Sequence, residues 1–165
     1  MIIIVDGIDR VGKTTLCNIL KNTFNLPICK DDTRYLGSHE NVIVNTEKNN
    51  TFVNLIEQGC LTNIIFDRFH LTEYVYSAVE RNVQNGYMLD IDKRLANIKT
   101  ANVILILVNP VDVNKSSAQH GKDLSEHAAL FETFYNLSKI KHKYITNYDE
   151  FDELIQKLQE KFGCF

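Results

Sequence analysis

The chain has 165 residues, 44% hydrophobic and 24% charged, with a formal net charge of -3. That length and apolar fraction suit one domain over residues 1–165 with an adequate core. The mild negative charge, without a basic stretch, argues against an extended nucleic-acid surface. No apolar run is long enough to span a membrane. Cys17, Cys29, Cys60 and Cys164 are scattered without metal spacing, which reads as reduced thiols in a cytoplasmic protein.

Residues 1–5 form an aliphatic run, as in a buried parallel strand. Gly7-Ile8-Asp9-Arg10-Val11-Gly12-Lys13-Thr14 follows, with two glycines framing four residues before Lys-Thr. Residues 14–24 then carry Leu16, Ile19, Leu20 and Phe24 at helical spacing. A glycine loop between a strand and a helix is the setting of a phosphate-binding loop. Its backbone N–H groups turn inward around phosphate oxygens, and the helix N-terminus adds partial positive charge. In that frame Lys13 reaches the β/γ phosphates, and the Thr14 hydroxyl is a ligand for Mg2+.

A second strand is expected over 26–30, leading into Lys30-Asp31-Asp32-Thr33-Arg34-Tyr35 at the strand end where open α/β sheets bind ligands. Residues 36–48 read as a polar, irregular loop. Residues 50–58 read as a helix with Phe52, Leu55 and Ile56 on one face and Gly59 as its stop. A third buried strand over 63–66 ends in Asp67-Arg68-Phe69-His70. A carboxylate and a guanidinium directly after a buried strand are poorly explained by packing. Thr72 is the expected N-cap of the next helix, which carries Tyr74, Tyr76, Ser77, Glu80 and Arg81 to a stop near Gly86.

A further helix is expected over 90–99 and the most hydrophobic strand over 102–108. Residues 115–122, Lys-Ser-Ser-Ala-Gln-His-Gly-Lys, read as a mobile flap, a short lid at about 115–123. A helix over 124–140, a short strand over 143–146 and an amphipathic helix over 150–162 close the chain. The alternation gives an α/β fold of the P-loop NTPase type: a three-layer sandwich with a central parallel sheet of about five strands and helices on both faces.

The loop alone does not separate a motor, a GTPase, a transporter ATPase and a small-molecule kinase. A kinase is favoured by the missing Asn-Lys-x-Asp sequence, of which Asn114-Lys115-Ser116-Ser117 has only the first half. No strand ends in the paired Asp-Glu that prepares water for ATP hydrolysis. The flap also suits a lid that shields a transferring phosphate from water.

The chain resembles the thymidylate kinases, within the wider nucleoside and nucleoside-monophosphate kinases. The resemblance rests on the loop with Asp9-Arg10 inside it and on Asp67-Arg68-Phe69-His70-Leu71-Thr72 continuing to Tyr76-Ser77-Ala78. Met88-Leu89-Asp90-Ile91-Asp92 matches more weakly. It implies a soluble, homodimeric enzyme that moves the γ-phosphate of ATP onto a small nucleotide, with dTMP the first choice. Gly7, Arg10, Val11, Gly12, Lys13, Thr14 and Thr15 would hold ATP. Asp9 would hold the acceptor 3′-hydroxyl or the magnesium shell, and Arg10 would neutralise the transferring charge from within the loop. Arg68 would bind the acceptor monophosphate, a bidentate task suited to guanidinium. Asp67 would orient Arg68 or the magnesium waters, and Tyr76 and Ser77 would line the deoxyribose and base pocket.

Two departures stand out. The family's Arg-Pro-Gly loop after the second strand is here Lys30-Asp31-Asp32-Thr33-Arg34, and the following helix lacks its usual arginine. Arg34 is the candidate replacement, and Phe52 or Tyr35 the candidate base-stacking ring. A deoxynucleoside, a modified nucleotide or a DNA hydroxyl therefore stays open as acceptor, as does a regulator that binds nucleotide without catalysis.

Overall fold

The computed structural model describes residues 1–30, 38–83 and 86–163, with only the backbone for 38–42 and His120. Five parallel strands, β1 (Ile2–Asp6), β2 (Ile28–Lys30), β3 (Ile64–Asp67), β4 (Val103–Val108) and β5 (His142–Thr146), form one sheet in the order β2-β3-β1-β4-β5. The three middle strands are buried along their whole length. Covering on both faces explains why their sequences run apolar rather than alternating. The order reverses direction at β1, so the loop after β1 opens at the switch point of the sheet.

The helices are α1 (Lys13–Phe24), α2 (Ser38–Glu57), α3 (His70–Arg81), α4 (Tyr87–Ala96), α5 (Val113–His120), α6 (Ser125–Leu137) and α7 (Phe151–Phe162), the last preceded by a 3-10 turn at Tyr148–Glu150. α1 packs with α7, whereas α2, α3, α4 and α6 pack among themselves. Right-handed crossovers place these two groups on opposite faces, because the chain moves one way across the sheet for α1 and the other way for α2, α3, α4 and α6. This is the three-layer α/β architecture expected from the sequence.

Two local expectations are corrected, those for residues 36–48 and for Thr72. Of the loop expected over 36–48, the described residues from Ser38 onward belong to α2. Its inward positions at helical spacing are Asn45, Asn49, Phe52, Val53 and Ile56, and the two asparagines are as buried as the core residues. Asn45 Nδ2 donates to Glu73 Oε2 (2.7 Å), and Asn49 Nδ2 lies 3.7 Å from Met88 Sδ. Polar residues on the buried stripe erase the hydropathy signal, and partners on α3 and α4 make the burial tolerable.

The expected flap over 115–122 is mostly helical. Asp112 caps α5 by accepting from the Asn114 and Lys115 amides, and Lys122 beyond its end pairs with Glu80 of α3 (2.8 Å). Thr72 is not an N-cap: α3 already begins at His70, and the Thr72 hydroxyl donates to Asp6 Oδ1 (2.5 Å). Boundary differences elsewhere are a few residues at most, as for α4, which starts at Tyr87 rather than 90.

Candidate nucleotide site

The site is built where β1 and β3 end. β1 finishes at Asp6 and turns at Gly7, whose φ of 142° only glycine holds comfortably. A Cβ there would collide with the Val108 carbonyl oxygen of β4. The loop closes at Gly12 with φ 90°, and a Cβ at that position would lie 2.7 Å from Cδ2 of Tyr148. Close approach of neighbouring chain therefore demands glycine at both frame positions. α1 begins immediately after, with no side-chain cap on its first turn. Those first-turn N–H groups have no intrahelical acceptor and suit an anion.

Lys13 is buried at the first turn, and its ammonium donates to the Ile8 carbonyl inside the loop. Burial, then the Arg68 guanidinium, lowers its pKa from 10.5 to about 8, against the opposing pull of Asp9, Asp67 and Asp6. Arg10 stands exposed in the loop with a left-handed φ of 65°, and Thr14 and Thr15 are exposed beside it. Val11 is buried and anchors the loop from beneath.

The second half of the site comes from β3. Asp67 is buried at the strand end and accepts from the Thr14 hydroxyl at 3.0 Å, across 53 residues of sequence. Arg68 takes a left-handed φ of 75°, and its guanidinium pairs with the Asp9 carboxylate. The strained backbone at Arg68 and the loop aspartate thus meet over one place. Half-buried Tyr76 belongs to the same group: burial, and then the Asp9 charge, pushes its phenol well above the usual range. The Tyr76 hydroxyl is buried and forms no well-aligned hydrogen bond.

Asp6 is a residue the sequence reading passed over. Fully buried, its Oδ1 accepts from the Phe69 amide (3.1 Å), the Thr72 amide (3.3 Å) and the Thr72 hydroxyl, while Oδ2 has no partner. An aspartate ending an aliphatic strand just before a glycine was the available signal. Asp6 ties the start of α3, and with it the Asp67-Arg68 corner, to the phosphate loop.

Ser77 and Phe52, expected to meet substrate, have prior engagements. Ser77 is fully buried and donates to Glu73 Oε1 (2.7 Å), which also accepts from Arg81 (2.6 Å). Phe52 packs edge-on against Phe66 (centroids 5.2 Å apart) and Phe69 (6.3 Å). Arg34 and Tyr35 lie outside the described residues.

No protein-family model matches the chain, and no curated protein matches it in sequence. Solved structures match it in shape. The YorR protein of Bacillus subtilis, solved in complex with phosphorylated GDP, aligns with TM-score 0.72 and 19% identity, covering 98% of this chain and 95% of that one. Thymidylate kinase from Candida albicans aligns with TM-score 0.59 and 15% identity over 98% and 90%. Deoxyadenosine kinase from M. mycoides, with bound dCTP, aligns with TM-score 0.56 and 16% identity over 98% and 100%. The chain shares the α/β fold of these proteins. At these identities the likeness speaks for the architecture, and the chemistry has to be argued from the residues. Among the described residues, no helix is long and apolar enough to cross a membrane.

Proposed function

We propose that the protein is an ATP- and magnesium-dependent kinase that transfers the γ-phosphate to a deoxynucleoside monophosphate, dTMP being the first candidate. The observation that carries this reading is the Arg68–Asp9 ion pair, which joins the phosphate loop to the β3 corner over a shared site. Donor phosphates fit the loop, and an acceptor anion fits Arg68.

The transfer breaks the bond between the γ-phosphorus and the β-bridging oxygen of ATP and forms one to an acceptor oxygen. A monophosphate acceptor offers an oxygen that is already ionised, so no general base is required. What the protein must supply is alignment and charge neutralisation. The loop amides and Lys13 hold the β/γ oxygens, and Arg10 is placed to neutralise charge from the loop tip. Arg68 exchanges its internal partner Asp9 for the acceptor phosphate. Asp9 is placed to accept from an acceptor hydroxyl, with Tyr76 packed beside the sugar. The helix α5 and the Lys122 pair with Glu80 form the proposed lid edge.

The Thr14 hydroxyl and Asp67 carboxylate are already drawn together, and Asp6, next to the Val5 that pairs with Asp67 in the sheet, keeps a buried unpartnered oxygen. Oxygen donors of this kind suit Mg2+, which is usually held by one or two carboxylates together with substrate phosphates. When bound it offsets negative charge on those phosphates.

A nucleoside acceptor is the second reading, favoured by the carboxylate of Asp9 facing the site. A neutral hydroxyl has a proton to lose, and Asp9 is placed to take it. One experiment separates the two: the four deoxynucleoside monophosphates and the four deoxynucleosides, each with ATP and magnesium, with products separated by chromatography. Diphosphate from a monophosphate supports the first reading. Monophosphate from a nucleoside replaces it with the second, and ADP formation without any phosphorylated acceptor removes both.

A further inference from the structure

We infer that His70 is a positioning residue for Arg68: a buried clamp of His70, Asp92 and Ser138 holds the corner after β3 so that the Arg68 guanidinium faces the phosphate loop. The inference rests on the proposal that Arg68 receives the acceptor anion.

Arg68 occupies a corner that its own backbone does not favour. Its φ of 75° is left-handed, and α3 starts two residues later with no side-chain cap on its first turn. Such a conformation persists only where the surroundings fix it. From the sheet, the Val5 carbonyl accepts from the Arg68 amide (3.0 Å), and Asp6 Oδ1 accepts from the Phe69 amide (3.1 Å). From the helices that cover α3, the hold comes through His70. Its ring is fully buried, with Nε2 3.1 Å from Oδ1 of Asp92 on α4. The same oxygen accepts from the Ser138 hydroxyl just past α6 (2.6 Å), and Oδ2 accepts from the Lys139 amide (2.7 Å). One carboxylate thus ties α3, α4 and the end of α6 together. The His70 ring also meets Phe69 edge-on (centroids 5.7 Å apart), and Phe69 stacks on Phe66 of β3 (4.5 Å).

The protonation pattern suits a clamp. Against the effect of burial, hydrogen bonds from His70, Ser138 and the Lys139 amide keep the Asp92 carboxyl below its usual range. Ionised, it only accepts, so His70 Nε2 carries the hydrogen. Nδ1 is buried without a partner, which fits the bare nitrogen of a neutral ring, since a second N–H there would be an unmet donor. Ser138 donates to the carboxylate rather than to the ring, so the three are not a nucleophile with its base.

The test reads Arg68 itself, by nitrogen-15 NMR of the arginine side chains in wild type, His70→Leu, His70→Asn and His70→Gln. The Arg68 signal is assigned by its loss in Arg68→Lys. A Gln amide reaches Asp92 as the ring Nε2 does, Asn is too short, and Leu has no donor. In His70→Leu and His70→Asn the Arg68 signal should move toward that of a solvated arginine. The Arg81 and Arg94 signals, held by Glu73 and Glu57, should stay in place, and His70→Gln should restore the wild-type spectrum. In the same two variants kcat/KM for dTMP should fall about 10- to 100-fold at an unchanged KM for ATP, the cost of a misplaced binding group. An unmoved Arg68 signal in either folded variant overturns the inference. So does movement of all three arginine signals together, or loss of fold in both variants by circular dichroism, since His70 would then be a general prop. If wild type phosphorylates no dTMP, the acceptor reading falls and the arginine signals still decide the clamp. If the Arg68 signal moves while dTMP turnover holds, the clamp stands and Arg68 is not the acceptor's anchor.

Discussion

Lys13 should report the arrival of phosphate by taking up a proton. Its pKa is brought down to about 8 by burial and then by Arg68. Polyphosphate seated against the ammonium adds negative charge and pushes the pKa back up. With a bound pKa of 10 or more, ATP binding takes up about 0.1 proton at pH 7, about 0.5 at pH 8 and about 0.9 at pH 9. The same equilibrium makes ATP affinity fall about tenfold between pH 7 and pH 9. Calorimetry in two buffers of different ionisation enthalpy measures the uptake directly at pH 8, where the ATP phosphates are already ionised. Lys13→Met should abolish it.

The sign for stability follows from the same shift. The folded pKa of about 8 lies below the ordinary 10.5, so the unfolded chain binds the extra proton between these values. Stability therefore rises with pH across that window, relieving a penalty of about 3 kcal/mol that is present in full below pH 8. Lys13→Met should accordingly melt no lower than wild type at pH 7 while losing nucleotide affinity. Absent proton uptake at pH 8, or proton release, would refute the picture of a buried ammonium that waits for an anion.

Three other predictions follow from single contacts. Gly7→Ala puts a Cβ into the Val108 carbonyl at a φ of 142°, so polyphosphate affinity should fall about tenfold or more and the melting temperature should drop, read by calorimetry and circular dichroism. Thr72→Val removes the hydroxyl that donates to buried Asp6 and should cost about 1–3 kcal/mol in urea unfolding; an unchanged midpoint would show that Asp6 does not depend on it. Cys17 is buried with its thiol pushed well above the ordinary range by burial, whereas Cys60 is exposed. A thiol reagent at pH 8 should modify Cys60 quickly and Cys17 only on unfolding, and equal rates would contradict the packing under α1.

The strand, glycine loop and helix at the start of the chain were legible because their signals are local. An aliphatic run, two glycines at fixed spacing, Lys-Thr and a helical stripe lie within 24 residues, and each is set by backbone geometry rather than by distant partners. The alternation of strands and helices was legible for the same reason, and it sufficed for the three-layer α/β sandwich. The N-terminal half of α2 was not, since Asn45 and Asn49 stand on its buried stripe, where their amide nitrogens meet Glu73 and Met88 of other helices. Thr72 has the composition of an N-cap, but Asp6, 66 residues earlier, claims its hydroxyl. Ser77 bonds to Glu73 and Arg81, four residues to either side on its own helix.

By itself, then, the sequence determined the glycine loop between β1 and α1 and the order of layers, both written in short-range pattern. Tertiary structure decided the rest: that Arg68 rests on Asp9 across 59 residues, that Asp67 finds Thr14, and that Tyr148 stands at the edge of that loop. The physical reason is that charge pairing and ring contact depend on distances in space, which parallel strand register sets and chain order does not.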